Sequence, residues 1–198
     1  MGSIKLPHSP SGNSMSIAAP ATNPASDLEL KLPATVGTAG QVLSVDGSGN
    51  LVWTDNTPMW SVKTGSNQTI SNGTNTVVAL TSEFFDTDNA FNTSTYTFTV
   101  PAGKGGKYWL YHQVRLNSNP DEGEALEGFI TKNGTMIDTS FAQHFSGSDD
   151  DSTMAKQGWV EDLAAGDALQ QKVWQGSGGD ATLDDKFTFF GGYRLIGG

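Results

Sequence analysis

The sequence predicts an all-β protein with a sandwich or barrel at its centre. Short runs rich in β-branched and aromatic residues recur along the chain, as in such folds. Turn residues separate them, including Asn72-Gly73 and Asn133-Gly134, a pair that favours tight hairpins because both central positions need positive φ. The Ala- and Leu-rich stretch 160–171 looks helical, but Gly166-Asp167 interrupts it, so we interpret it as a turn between two strands. The predicted strand runs are 76–80, 95–100, 108–111, 128–131 and 186–190.

Composition divides the 198 residues into an arm and a head. All ten Phe lie between Phe84 and Phe190, whereas residues 1–57 contain one Trp and neither Phe nor Tyr. The first segment has too little apolar mass for a core of its own, and the second has enough for one full domain. The sequence therefore predicts an extended, β-rich N-terminal arm at 1–57 and a β-sandwich head at 58–198.

The arm has its own strand signals. Residues 14–18, 28–32 and 41–45 are strand-like, and the turn at 46–50 joins the last of them to 51–54 as a β-hairpin. Isolated hairpins are marginal in water, so these strands are expected to pair with another chain. The candidate anchoring residues are Ile17, Leu28, Leu30, Leu32, Val42 and Trp53.

Charge excludes several classes of partner. With 11 basic and 21 acidic residues the net charge is −10, which is unsuited to nucleic acid or to an anionic membrane surface. No apolar run is long enough to span a membrane, and no signal peptide opens the chain. The chain has no cysteine, which removes disulfides and thiolate chemistry.

The stretch 108–114 predicts a strand with two apolar faces. Tyr108, Leu110, His112 and Val114 would lie on one face, with Trp109, Tyr111 and Gln113 on the other. Only one face of a sheet meets the opposing sheet of a sandwich. We expect the second face to pack against neighbouring subunits; a loop or the N-terminal segment covering it is the alternative. Which face is the interface stays open at this stage.

The head contains an ordered series of short segments: 60–62, 67–71, 76–80, 85–91, 96–103, 106–110, 130–134, 163–167 and 189–193. In this order they resemble the complement-type globular head, a relative of the tumour necrosis factor jelly roll, over residues 58–198. Two departures are the longer turn Gly103–Gly106 and the absence of a collagen Gly-X-Y period in the N-terminal segment. The resemblance implies an antiparallel jelly-roll sandwich assembled as a homotrimer. The interface candidates are Trp60, Trp109, Tyr111 and Phe190.

The N-terminal segment resembles structural proteins of marine tailed phages, at residues 16–24, 32–33 and 40–53. This resemblance implies a virion protein, assembled in the host cytoplasm: a short tail or head fibre, or a capsid-decorating protrusion. The arm would then bind other virion structural proteins, and the head would adhere to a host surface glycan or receptor. The alternative is a secreted or surface-bound bacterial trimeric recognition module.

Neither catalysis nor metal binding is expected. The run Asp149–Asp151 and the acidic loop containing Asp121, Glu122, Glu124 and Glu127 match no calcium-loop spacing, so solvated loops are the favoured interpretation. His8, His112 and His144 lack metal-ligand spacing, and no Gly-x-Ser-x-Gly nucleophile motif exists. We therefore expect no cofactor, no metal and no enzymatic activity, a depolymerase included.

Overall fold

The chain forms two compact units, Met1–Thr54 and Asp55–Gly198, each described here by itself. This division lies three residues before the predicted boundary at 57/58. We call Asp55–Gly198 the head. The computed structural model describes residues 3–7, 14–18, 21–22, 30–55, 58–117, 124–146 and 153–195.

The first unit contains two antiparallel strand pairs. Asp46 closes the turn between β3 and β4, because its carboxylate accepts the backbone N–H groups of Ser48 at 2.9 Å and of Asn50 at 2.8 Å. The predicted hairpin at 41–54 is thus confirmed. The predicted strand at 28–32 is wrong over its described residues, where only an isolated bridge joins Lys31 to Asn50. The strands are β1 (Ser3–Pro7), β2 (Ser14–Ala18), β3 (Gln41–Val45) and β4 (Leu51–Asp55), paired β1 with β2 and β3 with β4.

Within its described residues the head is built from strands, with one 3₁₀ turn at Asp138–Ser140. Its first seven strands are β5 (Met59–Lys63), β6 (Gln68–Ile70), β7 (Thr76–Val77), β8 (Ser82–Asp86), β9 (Phe91–Asn92), β10 (Thr97–Thr99) and β11 (Gly106–Arg115). The remaining seven are β12 (Ala125–Lys132), β13 (Thr135–Met136), β14 (Ala142–Phe145), β15 (Met154–Leu163), β16 (Ala168–Gln175), β17 (Ala181–Leu183) and β18 (Phe189–Arg194).

Two antiparallel sheets form the sandwich, which confirms the predicted fold class. The five-stranded sheet has the order β15-β11-β18-β5-β8. The seven-stranded sheet runs β13-β12-β16-β10-β9, with β14 added on β12 and β7 on β16. Most neighbours in space are distant in sequence, as when β5 pairs with β18 and joins Trp60 to Gly192.

Aromatic side chains fill the centre of the sandwich. Trp60 stacks on Phe98, with 3.5 Å between ring centroids and 8° between planes, and Phe190 meets Trp60 edge-on at 5.6 Å. Tyr108 completes the cluster and donates its hydroxyl hydrogen to the Lys104 carbonyl at 2.5 Å. All four rings are fully buried. Burial of each such side chain is worth roughly 1.5–3 kcal/mol, so this cluster fixes how the sheets face each other.

A polar bridge also joins the two sheets. Gln171 lies fully buried on β16 of the seven-stranded sheet. Its Nε2 donates to the backbone carbonyls of Gln113, at 3.0 Å, and Phe189, at 3.3 Å, both in the five-stranded sheet. Bonds of this kind require one relative position of the sheets, because a shift would leave the buried amide unpaired.

Several sequence-predicted strands have different limits in the structure. The run 76–80 forms only the two-residue β7, and the run 186–190 becomes a strand only from Phe189 onward. The stretch 160–171 is confirmed as a turn between two strands. Gly166 there adopts φ +91°, a left-handed conformation that glycine tolerates well.

Candidate functional site

The outward side of the five-stranded sheet is the candidate site, and we call it the open face. Tyr108, Leu110, His112 and Val114 of β11 are buried towards the other sheet, which confirms the predicted alternation. Their neighbours point outward. By strand register the open face includes Met59, Ser61, Lys63, Phe85, Lys107, Trp109, Tyr111, Gln113, Lys156, Gly158, Val160, Asp162, Phe189, Gly191 and Tyr193.

One row across the open face is apolar. Trp109 lies between Val160 on β15 and Tyr193 on β18, and Met59 on β5 continues the row. The exposed fractions are 37% for Trp109, 49% for Val160 and 45% for Tyr193. Soluble monomers seldom leave neighbouring large apolar side chains exposed in this way, so the row has the character of an interaction surface.

Two glycines leave room for the central aromatic rings. A Cβ on Gly191 would lie 2.5 Å from Tyr111 Oη, and a Cβ on Gly158 would lie 3.0 Å from the Trp109 ring. Each ring therefore occupies the space above a glycine on a neighbouring strand. The Tyr111 hydroxyl also donates to Ser61 Oγ at 3.1 Å, which fixes its ring against the sheet.

A hollow of about 360 Å³ lies beside Tyr111 on the same side of the sheet. Phe189 and Gly158 contribute to its apolar lining, and Lys156 brings a positive charge. Gln113 also lines the hollow and donates its amide to the Phe187 carbonyl at 2.8 Å. The open face thus combines an aromatic row with a cationic depression.

The structure divides the four interface candidates into two pairs. Trp109 is on the open face and Tyr111 is half-buried beside it. Trp60 and Phe190 have no exposed area even in the single chain, because both point between the sheets. The assignment of Trp60 and Phe190 to an interface is therefore corrected: they form the sandwich core.

Sequence reasoning missed the other half of the open face. Val160, Tyr193, Gly158 and Gly191 join the site through the pairing of β15 and β18 with β11. These pairings join residues about 50 to 85 positions apart, and no local pattern encodes them. The alternation of Trp60 and Val62 around polar Ser61 was a usable signal that Trp60 faces inward.

The arm candidates lie on the first unit, apart from Leu28, which is outside the described residues. Leu30, Leu32 and Val42 are exposed. Trp53 donates Nε1–H to the Thr35 carbonyl at 2.9 Å, and its ring lies against Gly37. Ile17 belongs to β2, which pairs with β1. Each strand of these two pairs has one partner in the chain, and the expectation that the pairs add to another chain stays a prediction.

His112 is the one described histidine in the core. Its Nε2 donates to the Ser140 carbonyl at 2.7 Å, whereas Nδ1 has no partner among the described residues. Burial lowers its pKa to about 4, although the bond to Ser140 acts in the opposite direction. His112 is therefore neutral near pH 7.

The acidic loops are described only in part. Asp149–Asp151, Asp121 and Glu122 lie outside the described residues, as does His8. Glu127 accepts the Gln143 amide at 2.7 Å on the outer side of the seven-stranded sheet. Within the described ranges, no three His, Asp or Glu residues are grouped as metal ligands would be. In the same ranges no helix is long and apolar enough to cross a membrane.

Comparison with known proteins gives matches only among solved structures; no protein-family model and no curated protein matches the chain. Murine APRIL at pH 5.0 is 17% identical, covers 70% of this chain and 98% of its own, and has a TM-score of 0.53. The Eiger TNF of S. frugiperda is 14% identical, covers 71% and 94%, and has a TM-score of 0.51. The globular domain of zebrafish complement 1qA protein is 16% identical over 71% and 98%, with a TM-score of 0.48.

These likenesses define the class of fold. At such identities the matches to APRIL and Eiger show the architecture alone, and that architecture is the tumour-necrosis-factor-like jelly roll. The predicted jelly-roll fold is therefore confirmed. The resemblance of the N-terminal segment to phage structural proteins gains no support from these comparisons.

Proposed function

We propose that the protein is a non-enzymatic structural and adhesive module, whose head forms a homotrimer through the open face. The observation that carries this proposal is the aromatic row of Trp109, Val160 and Tyr193 on the side of the sheet that has no partner sheet. Covering this row with a second copy removes apolar area from water, at roughly 25 cal/mol per Å².

A closed ring explains how one surface serves every copy. In a cyclic assembly each subunit uses its face against the edge or face of the next, and no copy is left unpaired. The resemblance of residues 58–198 to the complement-type globular head, which implies a homotrimer, supports threefold closure. The remaining outward loops would then be free to contact another surface.

The oligomeric state tests this part directly. Light scattering of the purified protein is expected to give a mass of about 63 kDa, three times the 20.9 kDa of one chain. A monomer that persists at micromolar concentration contradicts the trimer and leaves the first unit or a loop as the cover of the open face.

The setting that we propose is a phage virion, in which the first unit joins the head to other virion proteins. The resemblance of residues 16–24 and 40–53 to phage structural segments supports it. In this setting the protein is a short tail or head fibre or a capsid-decorating protrusion that adheres to the host surface. A secreted or surface-bound bacterial recognition module would use the same head without a particle.

Purified particles separate these two settings. Mass spectrometry of purified virions is expected to detect the full chain, and a shortened chain of residues 58–198 is expected to be soluble and self-associated yet missing from particles. Normal incorporation of the shortened chain contradicts the anchoring role of the N-terminal residues. Unfolding of the shortened chain places part of the head's core before residue 58.

A further inference from the structure

A second hollow opens at the edge of the sandwich, away from the strands that carry the aromatic row. It has a volume of about 300 Å³ and lies between the edge strands β8 and β9. In contrast to the hollow on the open face, its lining is largely polar. The residues around it are Glu83, Asn89, Ala90, Phe91, Asn92 and Thr93.

Hydrogen bonds to backbone groups hold the rim of this hollow in place. Asp86 Oδ2 accepts the Phe91 N–H at 2.7 Å, and Asn92 Oδ1 accepts the Ser94 N–H at 2.8 Å. The Ala90 carbonyl accepts the Thr99 N–H at 2.9 Å, and Phe91 is buried. The backbone around the hollow is therefore fixed before any ligand arrives, which lowers the entropic cost of binding.

Three side chains at the hollow have unused hydrogen-bonding capacity. Glu83, Asn89 and Thr93 make no side-chain hydrogen bond or ion pair with any described residue. Together they offer a carboxylate that accepts, an amide that both accepts and donates, and a hydroxyl that does both.

We propose that this hollow is a binding site for a neutral sugar, a proposal that rests on the adhesive function above. The adjacent hydroxyls of a sugar ring both donate and accept hydrogen bonds, which suits a hollow lined by the Glu83 carboxylate and the Asn89 amide. Charge selects among sugars. Glu83 lines the hollow and Asp86 lies at its rim, so the carboxylate of a uronic acid or the phosphate of a phosphorylated sugar would be repelled.

Saturation-transfer NMR on the full chain tests the site, in buffer that contains EDTA. The probes are methyl α-mannoside, methyl β-galactoside and methyl β-N-acetylglucosaminide, with methyl glucuronide as the acidic comparison. We expect millimolar binding of at least one neutral glycoside and none of the glucuronide. Loss of a hydrogen bond to a charged group predicts a decrease of at least about tenfold in affinity for Glu83→Ala.

Two further variants sharpen the result. Asn89 has φ +50°, so Asn89→Gly removes the amide while it keeps a backbone that glycine accepts, and it is expected to weaken binding as well. Asp180→Ala removes the same charge from an exposed position outside this hollow and is expected to leave binding unchanged.

The proposal is overturned if no neutral glycoside binds or if the glucuronide binds equally well. It is also overturned if binding requires calcium, or if Glu83→Ala and Asn89→Gly bind glycoside as strongly as the unmodified chain does. Light scattering of the same samples keeps the two proposals separate. A trimer that binds no glycoside refutes the sugar site alone, and a monomer that binds one refutes the trimer alone.

Discussion

The outward faces of the two sheets differ in how their side chains are satisfied. On the seven-stranded sheet the outward groups bond within the chain: Gln143 donates to Glu127 at 2.7 Å, and Gln170 donates to Thr97 Oγ1 at 3.0 Å. On the five-stranded sheet the corresponding central row consists of Trp109, Val160 and Tyr193, whose side chains are largely apolar and carry few hydrogen-bonding groups. The seven-stranded side also exposes an aromatic residue, Phe145, but on the edge strand β14, whereas Trp109, Val160 and Tyr193 adjoin across three neighbouring strands. The comparison therefore teaches that the contiguity of exposed apolar side chains distinguishes the open face.

The largest expected effect comes from charging the aromatic row. Trp109→Asp is expected to weaken each subunit contact about thirtyfold or more, because buried tryptophans commonly dominate interface energetics. Light scattering should then show monomers, with the β-rich circular dichroism spectrum retained. The matched control is Trp174→Asp, since Trp174 lies opposite Glu127 on the outward face of the seven-stranded sheet. Equal loss of assembly in both variants would contradict the distinction between the faces.

The next effect is a loss of folding stability in acid, caused by protonation of His112 in the core beneath the open face. The pKa of His112 is lowered to about 4 in the folded chain, against an ordinary value of 6.5. The unfolded chain therefore binds the proton more readily than the folded chain. The part of the free energy of unfolding that depends on neutral His112 is complete above pH 6.5 and is lost as the pH falls towards 4. Its full size is about 3 kcal/mol.

Denaturant unfolding at a series of pH values measures this loss. In His112→Gln the amide can still donate to the Ser140 carbonyl but no longer titrates. The stability difference between the two proteins is therefore expected to shrink between pH 6.5 and pH 4. Parallel curves over that range would show that His112 is not the responsible group.

A smaller effect is expected from filling the space beneath Tyr111. In Gly191→Ala the new Cβ would lie 2.5 Å from Tyr111 Oη and 2.7 Å from the Trp60 carbonyl oxygen. Overpacking of this kind costs about 1–3 kcal/mol, to be measured as a lower free energy of unfolding. The control is Gly179→Ala, where the Cβ meets no atom within 4 Å. Similar stability of the two variants would mean that both the Tyr111 ring and the β5 backbone at Trp60 move aside without cost.

The smallest effect is expected from calcium. Neither outward face nor the described loops groups three metal-ligating side chains, and the Asp149–Asp151 run is expected to be solvated. Melting temperatures with calcium and with a chelator should agree within about one degree, because a tight site linked to folding would shift them. A larger shift that disappears in Asp150→Asn would identify that run as a calcium site.

Local pattern predicted the parts of the structure that are local. Alternation along β11 separated Tyr108 and Leu110 from Trp109 and Tyr111, and Asn133-Gly134 marked a turn in which both residues have positive φ. The outward neighbours of Trp109 depend on strands up to about 85 residues away, and single-sequence pattern does not specify which strand lies beside which. Phe190 was misassigned to the interface because local alternation is absent there: its neighbours Phe189 and Gly191 include no polar residue that would mark the outward face.

The position of β5 in its sheet has a mechanical consequence. The chain enters the head through this strand, which is hydrogen-bonded to β18 on one side and to β8 on the other. A tension applied to the N-terminal side of the head therefore reaches a strand with two ladders, and pulling it out requires both to break, together with removal of Trp60 from the core. A tether attached through an edge strand would have one ladder to break, so entry through a central strand resists extraction more strongly.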